Sequence, residues 1–212
     1  MSTDYRIVVL LSGSGTTLQS IIDAKLPANI VAVISNKPNV RGLSRAQEAG
    51  IPAHVLDHTT FPSRQDFDLE LQTLIDQQRP DLVVLAGFMR ILSDDFVHHY
   101  YGRLINIHPS LLPKYKGTHT HQRVMDDGDP LHGSSVHFVN TELDSGPILL
   151  QARLPVLATD SVESLELRVK VKEHLIYPTA ISWLAKGRIK LKDDAIYMDG
   201  KKMPGPVVMD YM

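Results

Sequence analysis

The side chains best suited to chemistry lie in residues 106–117, where Asn106 and His108 stand two residues apart. The apolar run 103–107 leads into His108 and predicts a buried strand. Residues two apart in a strand point to the same face, so we expect both side chains to project together. An amide and an imidazole so placed can donate two hydrogen bonds to one developing oxyanion. The alternative is a capped strand end with a hydrogen-bonded structural histidine.

A second candidate is the glycine-rich stretch 12–17, Ser-Gly-Ser-Gly-Thr-Thr, between a predicted strand (5–11) and a predicted helix (18–24). Glycines allow a tight turn, and a helix start offers unpaired N–H groups to an anion. Thr16 or Thr17 is expected to cap the helix and to bond a phosphate. A third glycine, an acidic residue after the next strand and a Walker lysine are absent, which favours a phosphomonoester over NAD or ATP. A plain tight turn is the alternative.

The elements that must position these residues alternate along the chain. Strands are predicted at 5–11, 30–35, 53–56, 81–86, 103–107, 133–139 and 148–156, and helices at 18–24, 42–49, 63–78, 94–99, 118–127 and 160–185. This alternation predicts an α/β fold with a mostly parallel twisted sheet of about seven strands flanked by helices, and an antiparallel edge near residues 133–156. Stretches 12–17, 87–92 and 106–117 each follow a strand, so they are expected on one rim of the sheet.

The composition further narrows the classes of protein to which the chain could belong. The 212 residues are 43% hydrophobic and carry a net charge of −2, with 22 basic and 24 acidic residues, which favours one domain over residues 1–212 with a small hairpin or tail from about 188. The scattered basic residues predict no nucleic-acid partner. The apolar run 7–11 is too short for a signal or membrane segment, so we expect a cytoplasmic protein without membrane association.

Two observations bear on metals and redox chemistry. The chain has no cysteine, which excludes disulfides, thiol catalysis and cysteine zinc sites. His119 and His121 have the spacing of a metal-binding pair on a strand, but no Asp-His follows as a hydrolytic zinc site requires. We therefore predict no metal.

Three stretches together resemble the folate-dependent formyltransferase family, with a Rossmann-like formyltransferase fold, over the chain to about residue 190. They are Asn106-x-His108-Pro109-Ser110-Leu111-Leu112-Pro113-x-Tyr115-x-Gly117, Gly87-Phe88-Met89-Arg90-Ile91-Leu92 and Leu143-Asp144-x-Gly146-Pro147-Ile148. The Ser-Gly-x-Gly loop, Arg64 and Glu173 are similar to the family member that acts on glycinamide ribonucleotide.

The resemblance implies a reaction of de novo purine biosynthesis. A formyl group passes from 10-formyltetrahydrofolate to the amine of glycinamide ribonucleotide, giving formylglycinamide ribonucleotide and tetrahydrofolate. By this similarity Asn106 and the imidazolium of His108 stabilise the oxyanion. Asp144 pairs with His108, favours its charged form and helps to relay the proton of the amine. These three residues are the implied catalytic set.

The resemblance also implies the binding residues, all for small molecules. Those for the ribonucleotide are Gly15, Thr16, Thr17 and Glu173; those for folate are Arg64, Met89, Arg90, Ile91, Leu92, Asn106, Asn140, Thr141, Glu142, Leu143 and Asp144. Thr16-Thr17 replace the usual Ser-Asn, and Lys170 stands where Gln is common, so these side-chain contacts are left open. From the residues alone, Arg64 and Glu173 are more typical of a solvated surface than of a binding site. The expected assembly is a monomer or homodimer.

Three other functions were weighed against this one. Methionyl-tRNA formyltransferase adds a second, basic domain, for which this length and charge leave no room. Formyltetrahydrofolate deformylase, a hydrolase, carries a domain before the first strand, whereas here that strand is predicted from residue 5. A non-catalytic phosphosugar-binding module would not need Asn106, His108 and Asp144 together.

Overall fold

The computed structural model describes residues 5–211. It contains a mixed, mostly parallel sheet of eight strands flanked by helices, together with a separate sheet of three strands. The predicted fold class is confirmed, with eight strands in place of about seven. The chain forms two compact units, of which the first ends at Asn106 and the second begins at Ile107.

The first unit is built from parallel strands in the order β5-β4-β1-β2-β3. Its elements are β1 (Arg6–Leu11), α1 (Thr16–Asp23), β2 (Asn29–Ser35), α2 (Arg41–Glu48), β3 (Ala53–Val55), a 3₁₀ turn (His58–Thr60), α3 (Arg64–Asp76), β4 (Leu82–Leu85), α4 (Asp94–His99) and β5 (Leu104–His108), whose last two residues belong to the second unit. Every residue of β4 is buried. Continuous apolar runs of this kind are typical of strands covered on both faces.

The second unit places β7 between β6 and a final strand in the order β11-β7-β6. Its elements are α5 (Thr120–Asp126), β6 (Leu131–Phe138), β7 (Ile148–Pro155), α6 (Val162–Ala185), β8 (Ile189–Lys192), β9 (Ala195–Met198), β10 (Lys201–Lys202) and β11 (Val207–Asp210). Strands β6 and β7 are antiparallel, as predicted for residues 133–156, and β8, β9 and β10 form the small sheet.

The chain beyond Pro204 adds a strand to the edge of the main sheet. Residues Val207–Asp210 form β11, which pairs in parallel with β7, and Asp210 accepts two hydrogen bonds from Arg153 of that strand. Four residues are too few for a period-two pattern to distinguish a strand from a loop. This strand forms because its backbone pairs with β7, and the local sequence pattern does not reveal that pairing.

Helix α6 begins with a reciprocal pair of serine hydrogen bonds. Its cap is Ser161, which accepts the N–H of Ser164 while the Ser164 hydroxyl accepts the N–H of Ser161. The helix runs 24 residues and includes Pro178.

Candidate active site

The His108 imidazole lies between two hydrogen-bond acceptors at the end of β5. Its Nε2 is 2.9 Å from the Tyr115 carbonyl oxygen, and its Nδ1 is 3.3 Å from Oδ2 of Asp144. A carbonyl oxygen only accepts, so Nε2 carries a proton; a bare Nδ1 would then face a carboxylate with its lone pair. Since both side chains are buried, this geometry favours an imidazolium–carboxylate pair.

Asp144 reaches this position on a tight turn. Its backbone has φ 49°, in the left-handed region, and a Cβ at Gly146 would overlap the Phe138 carbonyl oxygen. The Gly117 N–H donates to Asp144 Oδ2 over 2.9 Å. The structure therefore brings together two residues, His108 and Asp144, that are far apart in the sequence.

His137 is a third polar side chain close to Asp144. It is buried on β6, and its Nε2 lies 3.8 Å from Asp144 Oδ1. Its Nδ1 is 2.9 Å from the Phe138 carbonyl oxygen and must carry the proton there. Burial lowers the pKa of His137, against the opposing effect of Asp144, so this imidazole is neutral. A polar residue in a buried strand was the only signal for it.

Strands β6 and β7 hold the segment after His108. The Ser135 hydroxyl donates to the Ser110 carbonyl oxygen over 2.7 Å and accepts from the Leu112 N–H. Gln151 Nε2 donates both to Ser135 Oγ and to the Leu112 carbonyl oxygen. These buried hydrogen bonds fix the segment 109–115, which ends in the Tyr115 carbonyl.

Asn106 lies on β5, two residues before His108, and is half-buried. It is opposite Leu85 of β4 in the parallel register. The alternation of the strand therefore places Asn106 and His108 on one face, as the spacing predicts.

The glycine-rich loop follows β1 and is packed against α2. Gly15 is the N-cap of α1 with φ 71°, and no side chain caps the helix, so the cap predicted at Thr16 or Thr17 is wrong. A Cβ at Gly15 would lie 2.5 Å from the Gly42 Cα. The Gly42 N–H donates to the Gly13 carbonyl oxygen over 3.0 Å. This packing leaves the first N–H groups of α1 for an anion.

The segment after β4, residues 89–93, is hydrogen-bonded at both ends to buried side chains. The Met89 N–H donates to Ser12 Oγ over 2.8 Å, and the Ser93 N–H donates to Asp68 Oδ2 over 2.6 Å. Between them Met89 and Ile91 are 74% and 62% exposed, whereas Arg90 is half-buried and Leu92 is buried. Exposed apolar side chains on a pinned backbone are suited to contact a flat ligand.

The Ser12 hydroxyl is shared between two segments. It donates to Asn36 Oδ1 over 2.5 Å while it accepts the Met89 N–H. Ser12 also donates its own N–H to the Gly87 carbonyl oxygen over 3.1 Å. The glycine-rich loop and the segment after β4 are therefore joined at one residue.

The remaining predicted binding residues are dispersed. Arg64 is exposed in the first turn of α3, after the cap Ser63. Asn140 is half-buried, and Thr141, Glu142 and Leu143 are exposed on the turn that carries Asp144. Within each unit the structure brings together the His108–Asp144 pair and, separately, the two segments joined at Ser12.

Glu173 is buried on α6, which excludes the solvated surface considered above. Burial raises its pKa to about 7, with the Lys170 charge opposing this and Glu166 adding to it. A buried carboxyl group whose pKa is raised in this way is a candidate binding group.

Neither a metal site nor a membrane span is found among residues 5–211. No three His, Cys, Asp or Glu side chains there are grouped so as to hold a metal ion. His119 is exposed, while His121 Nδ1 lies 2.9 Å from His132 Nε2. No helix in this part of the chain is long and apolar enough to cross a membrane.

Comparison with known families shows which class of protein the chain belongs to. The formyl transferase family model matches residues 5–181, so the chain belongs to the formyl transferase family and is a transferase. It is 54% identical over 202 residues to phosphoribosylglycinamide formyltransferase of Escherichia coli, covering 93% of this chain and 95% of that protein. It is 46% identical over 203 residues to the enzyme of the same name from Haemophilus influenzae, covering 94% and 96%. The phosphoribosylglycinamide formyltransferase structure from Coxiella burnetii superposes with a TM-score of 0.93 at 50% identity, covering 96% and 99%.

Proposed function

We propose that the chain is a phosphoribosylglycinamide formyltransferase of purine biosynthesis. It transfers a formyl group from 10-formyltetrahydrofolate to the amine of glycinamide ribonucleotide. The observation that carries this proposal is 54% identity to a relative of that name over 93% of this chain. The buried His108–Asp144 pair, with Nδ1 and Oδ2 3.3 Å apart, supplies chemistry that fits it.

In the proposed reaction the amine nitrogen bonds to the formyl carbon, and the bond from that carbon to N10 of the folate then breaks. His108 Nε2–H, which donates to the Tyr115 carbonyl in the structure, is redirected to the formyl oxygen as its negative charge develops. Asn106 donates a second hydrogen bond to the same oxygen. Asp144 keeps His108 charged and helps to move the proton lost by the amine toward the departing N10.

The folate is assigned to Arg64, to the segment after β4 (Met89, Arg90, Ile91, Leu92) and to the turn Asn140–Asp144. Two buried polar atoms of these residues, Arg90 Nε and Asn140 Oδ1, have no hydrogen-bond partner within residues 5–211. Such atoms fit a polar, flat co-substrate because a bound ligand can satisfy them. No metal is assigned a role.

The ribonucleotide phosphate is assigned to Gly15, Thr16 and Thr17, and its ribose hydroxyls to Glu173. The N–H groups at the start of α1 and the macrodipole of that helix favour the phosphate. The Glu173 carboxyl group accepts hydrogen bonds from the ribose hydroxyls. Arg45 Nε, which donates to the Ser14 carbonyl oxygen over 3.0 Å, supports the loop from outside.

We further propose that residues 1–212 act as a single formyltransferase domain with the small β8-β9-β10 sheet as an appendage. The proposed substrates are small molecules, with no nucleic-acid or membrane partner. The proposed location is the cytoplasm, and the proposed assembly a monomer or homodimer.

The test is an assay of the purified chain with 10-formyltetrahydrofolate and glycinamide ribonucleotide. We expect formylglycinamide ribonucleotide and tetrahydrofolate to form in equal amounts, detected by mass spectrometry and absorbance. Release of formate without the ribonucleotide would replace the proposal with the deformylase. A chain that binds both compounds but converts neither would be a phosphosugar-binding module.

A further inference from the structure

Lys116 is a charged side chain near the His108–Asp144 pair to which the mechanism above gives no role. It is half-buried in the segment that follows β5. Its Nζ lies 3.2 Å from Oε1 of Glu142, and it also donates a hydrogen bond to Oγ of Ser145. Both partners lie on the turn that carries Asp144, so Lys116 joins the segment after β5 to that turn.

The two neighbours of Lys116 contact both members of the His108–Asp144 pair through their backbones. The Tyr115 carbonyl oxygen lies 2.9 Å from Nε2 of His108. On the other side, the Gly117 N–H donates to Oδ2 of Asp144 over 2.9 Å. This same oxygen lies 3.3 Å from Nδ1 of His108. The position of the segment relative to the turn therefore affects how the imidazole and the carboxylate meet.

The two contacts of Lys116 bracket Asp144 in the sequence. Glu142 precedes Asp144 by two residues, and Ser145 follows it directly. The chain bends sharply here, since Asp144 has φ 49° and the Ser145 N–H donates to the Glu142 carbonyl oxygen over 3.3 Å. An ammonium group has three donors, so one lysine can bond both sides of such a turn. These bonds restrain the turn on either side of the Asp144 carboxylate.

The contact with Ser145 distinguishes this cluster from an ordinary surface ion pair. The Glu142 side chain is 74% exposed, and an exposed ion pair alone contributes little. Ser145, in contrast, is half-buried beside the buried Asp144. The backbone of Lys116 is itself held, because Nη1 of Arg123 donates to its carbonyl oxygen over 2.7 Å. The lysine side chain therefore extends from a fixed backbone to the turn.

We propose that Lys116 is a positioning residue for formyl transfer and that it acts through Asp144. It holds the turn 142–145 against the segment after β5. The carboxylate then stays at Nδ1 of His108 while the hydrogen bond from Nε2 is redirected to the formyl oxygen. This proposal rests on the proposed function and extends it to a residue outside the catalytic and binding sets.

The test compares Lys116→Met with Lys190→Met, which removes the same charge from an exposed position on β8. For Lys116→Met we expect kcat to fall about fivefold, as for the loss of one partly exposed charged contact. The KM for the ribonucleotide is expected to stay within about twofold of the wild type, because the loss affects the reacting pair rather than binding. Lys190→Met is expected to change neither value. An unchanged kcat in Lys116→Met, or an equal fall in Lys190→Met, would overturn the proposal.

Two further variants separate positioning from a general loss of stability. Lys116→Arg keeps a cation that can donate to both partners, so it should recover about half of the wild-type kcat or more; an arginine variant as slow as Lys116→Met would contradict the proposal. Ser145→Ala removes one partner, and the loss in the double variant Lys116→Met/Ser145→Ala should be smaller than the sum of the single losses. Fully additive losses would refute action through this contact. Should Lys116→Met not fold by circular dichroism, Ser145→Ala decides the proposal in its place.

Hydrogen exchange of the Gly117 amide, followed by NMR, tests the same contact without catalysis. This amide donates to Asp144, so a loosened turn should let it exchange about fivefold faster in Lys116→Met and at the wild-type rate in Lys190→Met. A wild-type chain without formyl transfer would refute the proposed function, whereas the exchange of Gly117 would still decide whether Lys116 holds the turn. Full transfer by the wild type, with kcat and Gly117 exchange unchanged in Lys116→Met, would refute only the Lys116 proposal.

Discussion

The His108 ring has no free donor in the structure, because its Nε2 donates to the Tyr115 carbonyl and its Nδ1 faces Asp144. In the proposed reaction the formyl oxygen takes the place of the Tyr115 carbonyl at Nε2. The segment that carries this carbonyl is fixed by Ser135 and Gln151. The proposed substrate therefore competes with a backbone acceptor for the same proton.

His108→Ala is expected to lower kcat by a factor of about 10² to 10³, as for loss of one oxyanion donor. Ribonucleotide affinity, measured by calorimetry, is expected to remain near the wild-type value, because the proposed phosphate site is the glycine-rich loop. His98→Ala, at an exposed histidine of α4, is the matched control and should retain activity. Loss of ribonucleotide affinity in His108→Ala would assign His108 to binding instead.

Glu173 is expected to make the free energy of unfolding depend on pH. Its pKa is raised from 4.5 to about 7, so the folded chain holds a proton that the unfolded chain has released. The contribution of Glu173 to stability therefore falls as pH rises from 4.5 to about 7. Glu173→Gln should be more stable than the wild type at pH 8, by at most on the order of 3 kcal/mol, and should lose this advantage at pH 4.

Urea denaturation at the two pH values measures this effect. Glu70→Gln, at an exposed position on α3 and not among the charges that act on Glu173, is the control and should show no such pH-dependent gain. An advantage of Glu173→Gln that is equal at both pH values would exclude ionisation as its cause.

At the scale of elements, the conformation of the glycine-rich loop depends on its packing against α2 as much as on its own residues. Gly15 and Gly42 approach so closely that a Cβ on the first would lie 2.5 Å from the Cα of the second. The sequence predicted a tight turn here but placed the cap on Thr16 or Thr17. Local pattern cannot reveal a contact with a helix that begins at Arg41.

Gly15→Ala is expected to raise the KM for the ribonucleotide at least about tenfold, because the loop must move away from α2. It should also lower stability by about 1–3 kcal/mol through its left-handed backbone. Gly50→Ala is the matched control, with the same φ of 71° but open space around its Cβ. Thermal unfolding and steady-state kinetics of both variants separate the effect of backbone strain from that of the contact with α2. Equal KM values for the ribonucleotide in the two variants would exclude a role for that contact.

The sequence predicted the parallel core well, because β1 and β4 are continuous apolar runs. It also predicted that Asn106 and His108 share a face, since period two is a local property. Only the family resemblance paired Asp144 with His108. The local pattern could not do so, because this contact requires the turn closed at Gly146, and it did not show that His137 lies near Asp144. The burial of Glu173 was likewise hidden, since a lone acid in a helix has the same pattern on either face.

At the scale of the whole molecule, the strand β11 covers one edge of β7. It supplies parallel backbone pairing from Val207 to Asp210, and its Asp210 accepts hydrogen bonds from Arg153 on the neighbouring strand. An unpaired strand edge is a template for association with other chains. The final strand therefore protects the second unit as well as extending its sheet.

Removal of residues 206–212 is expected to lower the midpoint of thermal unfolding and to promote aggregation, measured by light scattering. Asp210→Asn is the control, because it weakens only the ion pair with Arg153, an exposed contact of at most about 1 kcal/mol. A truncated chain as stable and monodisperse as Asp210→Asn would show that the backbone pairing of β11 is dispensable.

The shared hydroxyl of Ser12 has a consequence for how the chain folds. Its partners Asn36 and Met89 are 24 and 77 residues away along the chain, so both bonds close large loops. Such contacts form only after the entropy of loop closure has been offset by the pairing of β1 with β2 and β4. The glycine-rich loop and the segment after β4 are therefore expected to reach their final shapes together with the central strands.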